Sequence, residues 1–279
     1  MKKPLPLILL LDNGSIQPQA TRNLRKLAAE LSHLSQYRVY PVSLQQADRI
    51  APGELDGIPA QLLESFLSAK LEQGIRDYLA IPLFFGVSRA LTSSIPNLVE
   101  SLQSIHGPFR LHIADVLYPL PRGEPRLVRI LKDQIDPLIS GSTQPRVILV
   151  DHGSPLPEVT EVRVRIAREL SSLLPPDVQL SEAVMERRKG SEYDFNGERL
   201  DQVLQREAQK TLQTPIALSL LFLSPGRHAG EGGDIATICG DVERLHPGLE
   251  IRISPLVGEH PHLIEVLLDR LRSGLRALD

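Results

Sequence analysis

The chain has no tryptophan, one cysteine and two methionines in 279 residues. A single cysteine, Cys239, excludes an intrachain disulfide. It also excludes an iron–sulfur cluster held by four thiolates of one chain. A lone cysteine of this kind reads as a small buried hydrophobe. Rings are scarce, with six Phe and five Tyr, so no aromatic platform for stacking bases is present. An excess of one charge is missing too: 31 basic and 34 acidic residues leave a net charge of −3. The signs are interspersed, which argues against a nucleic-acid partner. No apolar run approaches the roughly 20 residues of a membrane span. The run Leu5 to Leu11 behind Met1-Lys2-Lys3-Pro4 is short, contains Pro6 and ends at Asp12. With no small-residue cleavage site after it, it reads as a first buried strand rather than a leader. The expectation is a cytoplasmic protein without a membrane partner.

What the chain does have is a repeat. Leu11-Asp12-Asn13-Gly14-Ser15 returns as Val150-Asp151-His152-Gly153-Ser154, 139 residues later. Lys26-Leu27-Ala28-Ala29-Glu30-Leu31-Ser32 returns as Arg165-Ile166-Ala167-Arg168-Glu169-Leu170-Ser171 at the same offset. Leu83-Phe84-Phe85 through Arg89 matches Leu221-Phe222-Leu223 through Arg227, and Gly123-Glu124-Pro125 matches Gly258-Glu259-His260-Pro261. The polar stretch Ser140 to Pro145 reads as the linker. The expected domains are therefore 1–140 and 145–279.

Each copy alternates short apolar runs with amphipathic segments. In the first, strands are predicted at Leu7–Asp12, Arg38–Leu44, Leu79–Phe85 and Leu111–Val116, and helices at Gln19–Leu34, Ile58–Arg76, Ser93–Ile105 and Pro125–Ile139. In the second, strands are predicted at Arg146–Asp151, Gln179–Met185, Ile216–Leu223 and Ile251–Leu256. Its helices are predicted at Pro157–Leu174, Glu198–Leu212, Asp234–Leu245 and Pro261–Leu278. Strand–helix alternation without an in–out pattern implies parallel sheets covered on both faces. The fold class is α/β: two similar lobes, each a mainly four-stranded parallel sheet flanked by helices.

Ligands of open parallel sheets bind beyond the carboxyl ends of the strands. There, in the second copy, stand His152, Glu186 and His228. The first copy has Asn13, Gln45 and Ala90 at the matching places, groups that take up no proton and ligate transition metals poorly. One working site and one degenerate copy are expected. His260 and His262 are a further pair of imidazoles, with His262 expected on the outer face of the last helix.

Asp151-His152-Gly153-Ser154, Val184-Met185-Glu186, Phe222-Leu223-Ser224-Pro225-Gly226-Arg227-His228 and Pro255-Leu256-Val257-Gly258-Glu259-His260-Pro261 resemble the class II chelatases of siroheme and cobalamin synthesis, the sirohydrochlorin cobalto- and ferrochelatases. The resemblance spans the second half and, in degraded form, the first. It implies a lyase that inserts a divalent metal, Co²⁺, Fe²⁺ or Ni²⁺, into sirohydrochlorin or a related tetrapyrrole. It assigns metal binding to His152 and His228, and catalysis to those two together with Glu186. Candidate contacts to the substrate's carboxylates are Ser154, Arg187, Arg188, Lys189 and Arg227, since guanidinium pairs well with carboxylate. It also implies a tandem form whose pseudo-dimer is internal, hence a monomer. The alternative is a non-catalytic tetrapyrrole or metal carrier descended from chelatases. Arg227-His228-Ala229 also resembles the Arg-His-Gly motif of histidine phosphatases, but it follows a third strand rather than a first, and Ala229 breaks it.

Overall fold

The computed structural model describes residues 5–230 and 232–278. The Met1-Lys2-Lys3-Pro4 part of the leader reading, Glu231 and Asp279 lie outside them. Two four-stranded sheets are present, and all their pairings are parallel. The first is made of β1 (Leu7–Asp12), β2 (Val39–Ser43), β3 (Asp77–Pro82) and β4 (Arg110–Ile113) in the order β2-β1-β3-β4. The second is made of β5 (Arg146–Asp151), β6 (Gln179–Val184), β7 (Ile216–Leu220) and β8 (Ile251–Ile253) in the equivalent order β6-β5-β7-β8.

The helices are α1 (Pro18–Ser35), α2 (Leu63–Glu72), α3 (Ile95–His106), α4 (Pro125–Ile139), α5 (Pro157–Leu173), α6 (Leu200–Lys210), α7 (Asp234–Leu245) and α8 (Leu263–Arg276). The helix expected over Ile58–Arg76 is shorter. Residues 47–62 form two 3₁₀ turns and an extended run instead, because Pro59 disfavours the helical region at Ile58, which is 63% exposed. The turn at Pro261–His262 precedes α8, so His262 is not on that helix as expected.

The central strands are covered on both sides. Ile8 to Leu11 and Val147 to Val150 are essentially inaccessible to solvent, which explains their unbroken apolar character. One face of the second sheet carries Ile148, Val150, Leu218 and Leu220 against Leu204 of α6 and Ile235 of α7. The first sheet does the same through Leu9, Leu11 and Ala80 against Leu67 of α2 and Leu102 of α3.

The compact units do not coincide with the repeat boundaries. One unit comprises Met1–Arg122 with Ile264–Asp279, the other Gly123–Leu263. Thus α8 packs with the first sheet: buried Arg270 donates to the carbonyls of Val116 at 2.8 Å and Leu117 at 2.9 Å. Helix α4 packs with the second, where Gln134 donates to the Leu256 carbonyl at 3.0 Å. No helix among the described residues is long and apolar enough to cross a membrane.

Candidate metal site at the end of the second sheet

In the second sheet the chain runs from β5 outward to β6, then returns past β5 to β7. The strand order therefore reverses between β5 and β7, the place where a crevice opens in such sheets. His152 follows β5 directly, and His228 lies in the loop after β7.

The parallel ladder continues past the strands. Met185 N donates to Asp151 O and Glu186 N to His152 O, both at 2.9 Å. This zipper fixes Glu186 beside His152. It needs glycine at 153: φ is +85°, and a Cβ there would lie 2.0 Å from the Glu186 carbonyl oxygen. Below the loop, buried Asp151 accepts from Gly153 N at 3.0 Å and from Arg163 Nη1 at 2.9 Å. Arg163 also donates to Glu182 at 3.0 Å and to the Asn196 carbonyl at 2.9 Å. Burial pushes the Asp151 carboxyl upward, against the pull of Arg163.

Ligand atoms of His152, Glu186 and His228 all lie within 4.8 Å of one another. The two imidazole centroids are 4.8 Å apart, tilted by 68°, and His228 Nε2 is 3.3 Å from Glu186 Oε1. Three ligands about 2.1 Å from one ion can be at most about 4.2 Å apart. The widest separations must therefore close a little, and the groups free to do this are His152 and Glu186, both exposed. His228 is buried. His152 Nδ1 lies 3.2 Å from the Gly153 carbonyl. A carbonyl only accepts, so in this contact Nδ1 carries the proton and Nε2 keeps its lone pair. Two imidazoles and one carboxylate leave coordination positions open, so a metal can be passed on.

The flanking residues divide. Arg227 is in the site: Nη1 is 3.3 Å from Glu186 Oε1 and Nε is 3.3 Å from Asp234 Oδ2. Arg187 pairs with Asp194 and donates to the Gly197 carbonyl at 3.0 Å. Arg188 stacks over Tyr193, 5.7 Å from the ring centroid, and Lys189 is exposed. The Arg187-Arg188 pair thus serves its own loop first. The Ser154 hydroxyl accepts from Leu156 N at 3.0 Å ahead of α5. Ser15 does the same for Gln17 N at 3.1 Å in the first copy. His260 and His262 stack on each other 5.3 Å apart and take no part in this cluster.

Two features escaped the sequence reading. Asp234, the first residue of α7, holds His228 Nδ1 at 2.8 Å. The available signal was the internal contrast: aligning Ile235 with Ile95 places Ser94 opposite this acid. The second is the Arg163–Asp151–Glu182–Asn196 network. The two strand registers equate Ser43 with Val184 and Leu62 with Arg199. The first-copy counterparts of Arg163, Glu182 and Asn196 are then Leu24, Pro41 and Pro59, and these line a cavity of ≈ 140 Å³.

Residues 146–274 match the CbiX family model. The match takes in most of the second half of the chain, the half that carries His152, Glu186 and His228. The fold of the whole chain is similar to that of SirB from Bacillus subtilis with Fe³⁺: TM-score 0.72, 16% identity, 97% of this chain and 95% of that one covered. It is similar to the cobalt complex of the sirohydrochlorin chelatase SirB from Bacillus subtilis subspecies spizizenii, with TM-score 0.66, 17% identity and coverage of 97% and 95%. It is also similar to CbiX, described as the terminal enzyme of siroheme biosynthesis in denitrifying bacteria, with TM-score 0.57, 16% identity and coverage of 96% and 98%. No curated protein matches the chain.

Proposed function

We propose that the protein is a metal chelatase that inserts Co²⁺, Fe²⁺ or Ni²⁺ into sirohydrochlorin or a closely related tetrapyrrole, as a cytoplasmic monomer. The observation that carries this reading is the convergence of His152, Glu186 and His228 within 4.8 Å at the β5/β7 reversal. Insertion of M²⁺ into the free-base macrocycle forms four metal–nitrogen bonds and releases two pyrrolic protons. Imidazole suits both halves of this exchange, as a ligand for borderline metals and as a proton acceptor near neutral pH. In the proposed order, buried His228 and the exposed His152 and Glu186 take the incoming ion. As the macrocycle nitrogens replace these ligands, the vacated imidazole and carboxylate lone pairs accept the protons. Arg227, already paired with two carboxylates at the rim, is placed to exchange one for a carboxylate of the substrate.

Anaerobic incubation with sirohydrochlorin and each metal, followed by absorbance, tests the reading. His152→Ala and His228→Ala should each nearly abolish insertion, with circular dichroism unchanged. Asn13→Ala should leave the rate close to wild type. Wild-type turnover by His228→Ala sinks the assignment. Macrocycle binding without acceleration over the free-solution rate turns it into a carrier.

A further inference from the structure

We propose that Asp234 is the positioning residue that makes His228 a metal ligand, acting on its far ring nitrogen; this rests on the chelatase reading above. The start of α7 grips His228 at three points. Ile235 N donates to the His228 carbonyl at 3.0 Å, and Asp234 N donates to the preceding carbonyl, Arg227 O, at 3.1 Å. The third point is the side chain, Nδ1 to Asp234 Oδ2 at 2.8 Å. Gly233 permits the approach: a Cβ there would sit 2.6 Å from the His228 carbonyl oxygen.

A carboxylate can only accept, and two flank this ring: Asp234 at 2.8 Å from Nδ1 and the exposed Glu186 at 3.3 Å from Nε2. The shorter contact takes the one proton of the neutral ring, so Asp234 holds it on Nδ1 and leaves the Nε2 lone pair on the metal side. The ring is buried on its remaining sides, with the side chain 7% exposed. The other tautomer would turn an N–H toward the metal position and leave Nδ1 and the Asp234 carboxylate as two acceptors 2.8 Å apart, closer than the 3.3 Å between Nε2 and Glu186. Outer carboxylates of this kind fix the tautomer and raise the basicity of the ligating nitrogen, and losing one weakens metal binding by about 10–100-fold. Asp234 has 44% side-chain exposure and touches no ligand position itself, so its effect is confined to His228 and to Arg227, which lies 3.3 Å away.

The test uses the full-length protein and Co²⁺ alone, followed through its visible absorption, with His228→Ala, Asp234→Ala, Asp234→Asn and Arg227→Ala. In parallel, ¹⁵N spectra of histidine-labelled, metal-free protein report the tautomer of His228, assigned with His228→Ala. The expected result is a loss of Co²⁺ affinity of about 10–100-fold in Asp234→Ala, with a mixed tautomer. Asp234→Asn, whose amide oxygen still accepts from Nδ1, should lose less and keep the wild-type tautomer. Arg227→Ala should lose less Co²⁺ affinity than Asp234→Ala and keep the wild-type His228 tautomer, because Arg227 meets Asp234 and Glu186 but not the imidazole.

Wild-type Co²⁺ affinity in Asp234→Ala, with affinity lost in His228→Ala, overturns the positioning role and leaves the metal site standing. Unchanged affinity in His228→Ala instead overturns the site reading itself. A loss in Arg227→Ala equal to that in Asp234→Ala, with the His228 tautomer unmoved in both, overturns the proposal in favour of action through Arg227. If Asp234→Ala fails to fold, the Asp234→Asn affinity and tautomer decide: a loss as large as that of His228→Ala with an altered tautomer contradicts the geometry.

Discussion

Asp12 and Asp151 end the first strands of the two copies, and the same substitution at each should move stability in opposite directions. Asp151 is paired with Arg163 at 2.9 Å, which offsets part of the burial that pushes its carboxyl upward. In the first copy Leu24 stands at the position that matches Arg163, and Asp12 Oδ1 is buried without a hydrogen-bond partner. Burial raises the Asp12 carboxyl from 3.8 to about 6, only partly offset by Ser43 and Gly14. The folded state therefore binds the proton more tightly than the unfolded chain, so stability falls as pH rises from about 4 to about 6 and stays lower above that. A shift of about 2 units corresponds to about 3 kcal/mol.

Asp12→Asn keeps the shape and removes the charge. It should change stability little near pH 4 and raise it by about 2–3 kcal/mol at pH 8. Asp151→Asn leaves Arg163 with one carboxylate fewer in a buried setting, where breaking a pair costs about 3 kcal/mol. Urea unfolding at pH 4, 6 and 8 measures both. Four of the five tyrosines, Tyr37, Tyr40, Tyr78 and Tyr118, lie in the first repeat, so tyrosine fluorescence weights the unit that holds Asp12. An Asp12→Asn effect that does not vary with pH, or destabilisation by both variants at pH 8, refutes the reasoning.

Two more outcomes are expected. Cys239 is 4% exposed, and burial with Glu243 nearby pushes its thiol up to about 12; it should resist iodoacetamide in the native protein and react only in urea, and rapid native labelling would contradict this. A fragment cut at the linker, 145–279, discards α4 with its buried Leu127, Val128, Ile130, Leu131 and Ile135, worth about 10 kcal/mol in total at about 2 kcal/mol per side chain as an upper estimate. The fragment 123–263 should therefore unfold at higher urea than 145–279, and the reverse order would argue that the repeat boundaries are also the folding boundaries.

Elements closed by strong local signals were legible to the residue. Helix α4 begins with Pro125 behind Glu124, whose side chain accepts from Arg126 N at 3.3 Å, and ends at the Ser140-Gly141 linker. The central strands Leu7–Asp12 and Arg146–Asp151 were legible because burial on both faces leaves nothing but apolar residues. The exchange of α4 and α8 between units was not legible, since an amphipathic pattern reports that a face is buried and not which sheet covers it. His152, His228 and Glu186 could be picked out because they end strands and their copies are untitratable. Arg163 and Asp234 could not: one charged residue inside or at the start of a helix looks the same whether it faces water or a buried acid.

The first copy offers a test of how much support the proposed metal site needs beyond its ligands. Restoring the ligands alone, by Asn13→His, Gln45→Glu and Ala90→His together, should give at most weak Co²⁺ binding there, well short of the second-half site. The frame itself is ready: Gln45 N already donates to Asn13 O at 3.2 Å, as Glu186 N does to His152 O. The third position is not. Between Phe84 and Ile95 the chain is two residues shorter than between Phe222 and Ile235, and Ala90 opens a π-helical turn running straight into α3. Ser94 stands where Asp234 anchors its imidazole, and Leu24, Pro41 and Pro59 replace the polar groups under the loop. Imidazoles without a fixed tautomer lose about 10–100-fold in affinity, and a misplaced third ligand adds to that. Calorimetric titration of this variant with Co²⁺, carrying His228→Ala to silence the second-half site, reads the new site alone. Affinity equal to that of the second-half site would mean that ligand identity suffices, and that the polar network beneath His152 and the acid behind His228 contribute nothing to metal binding.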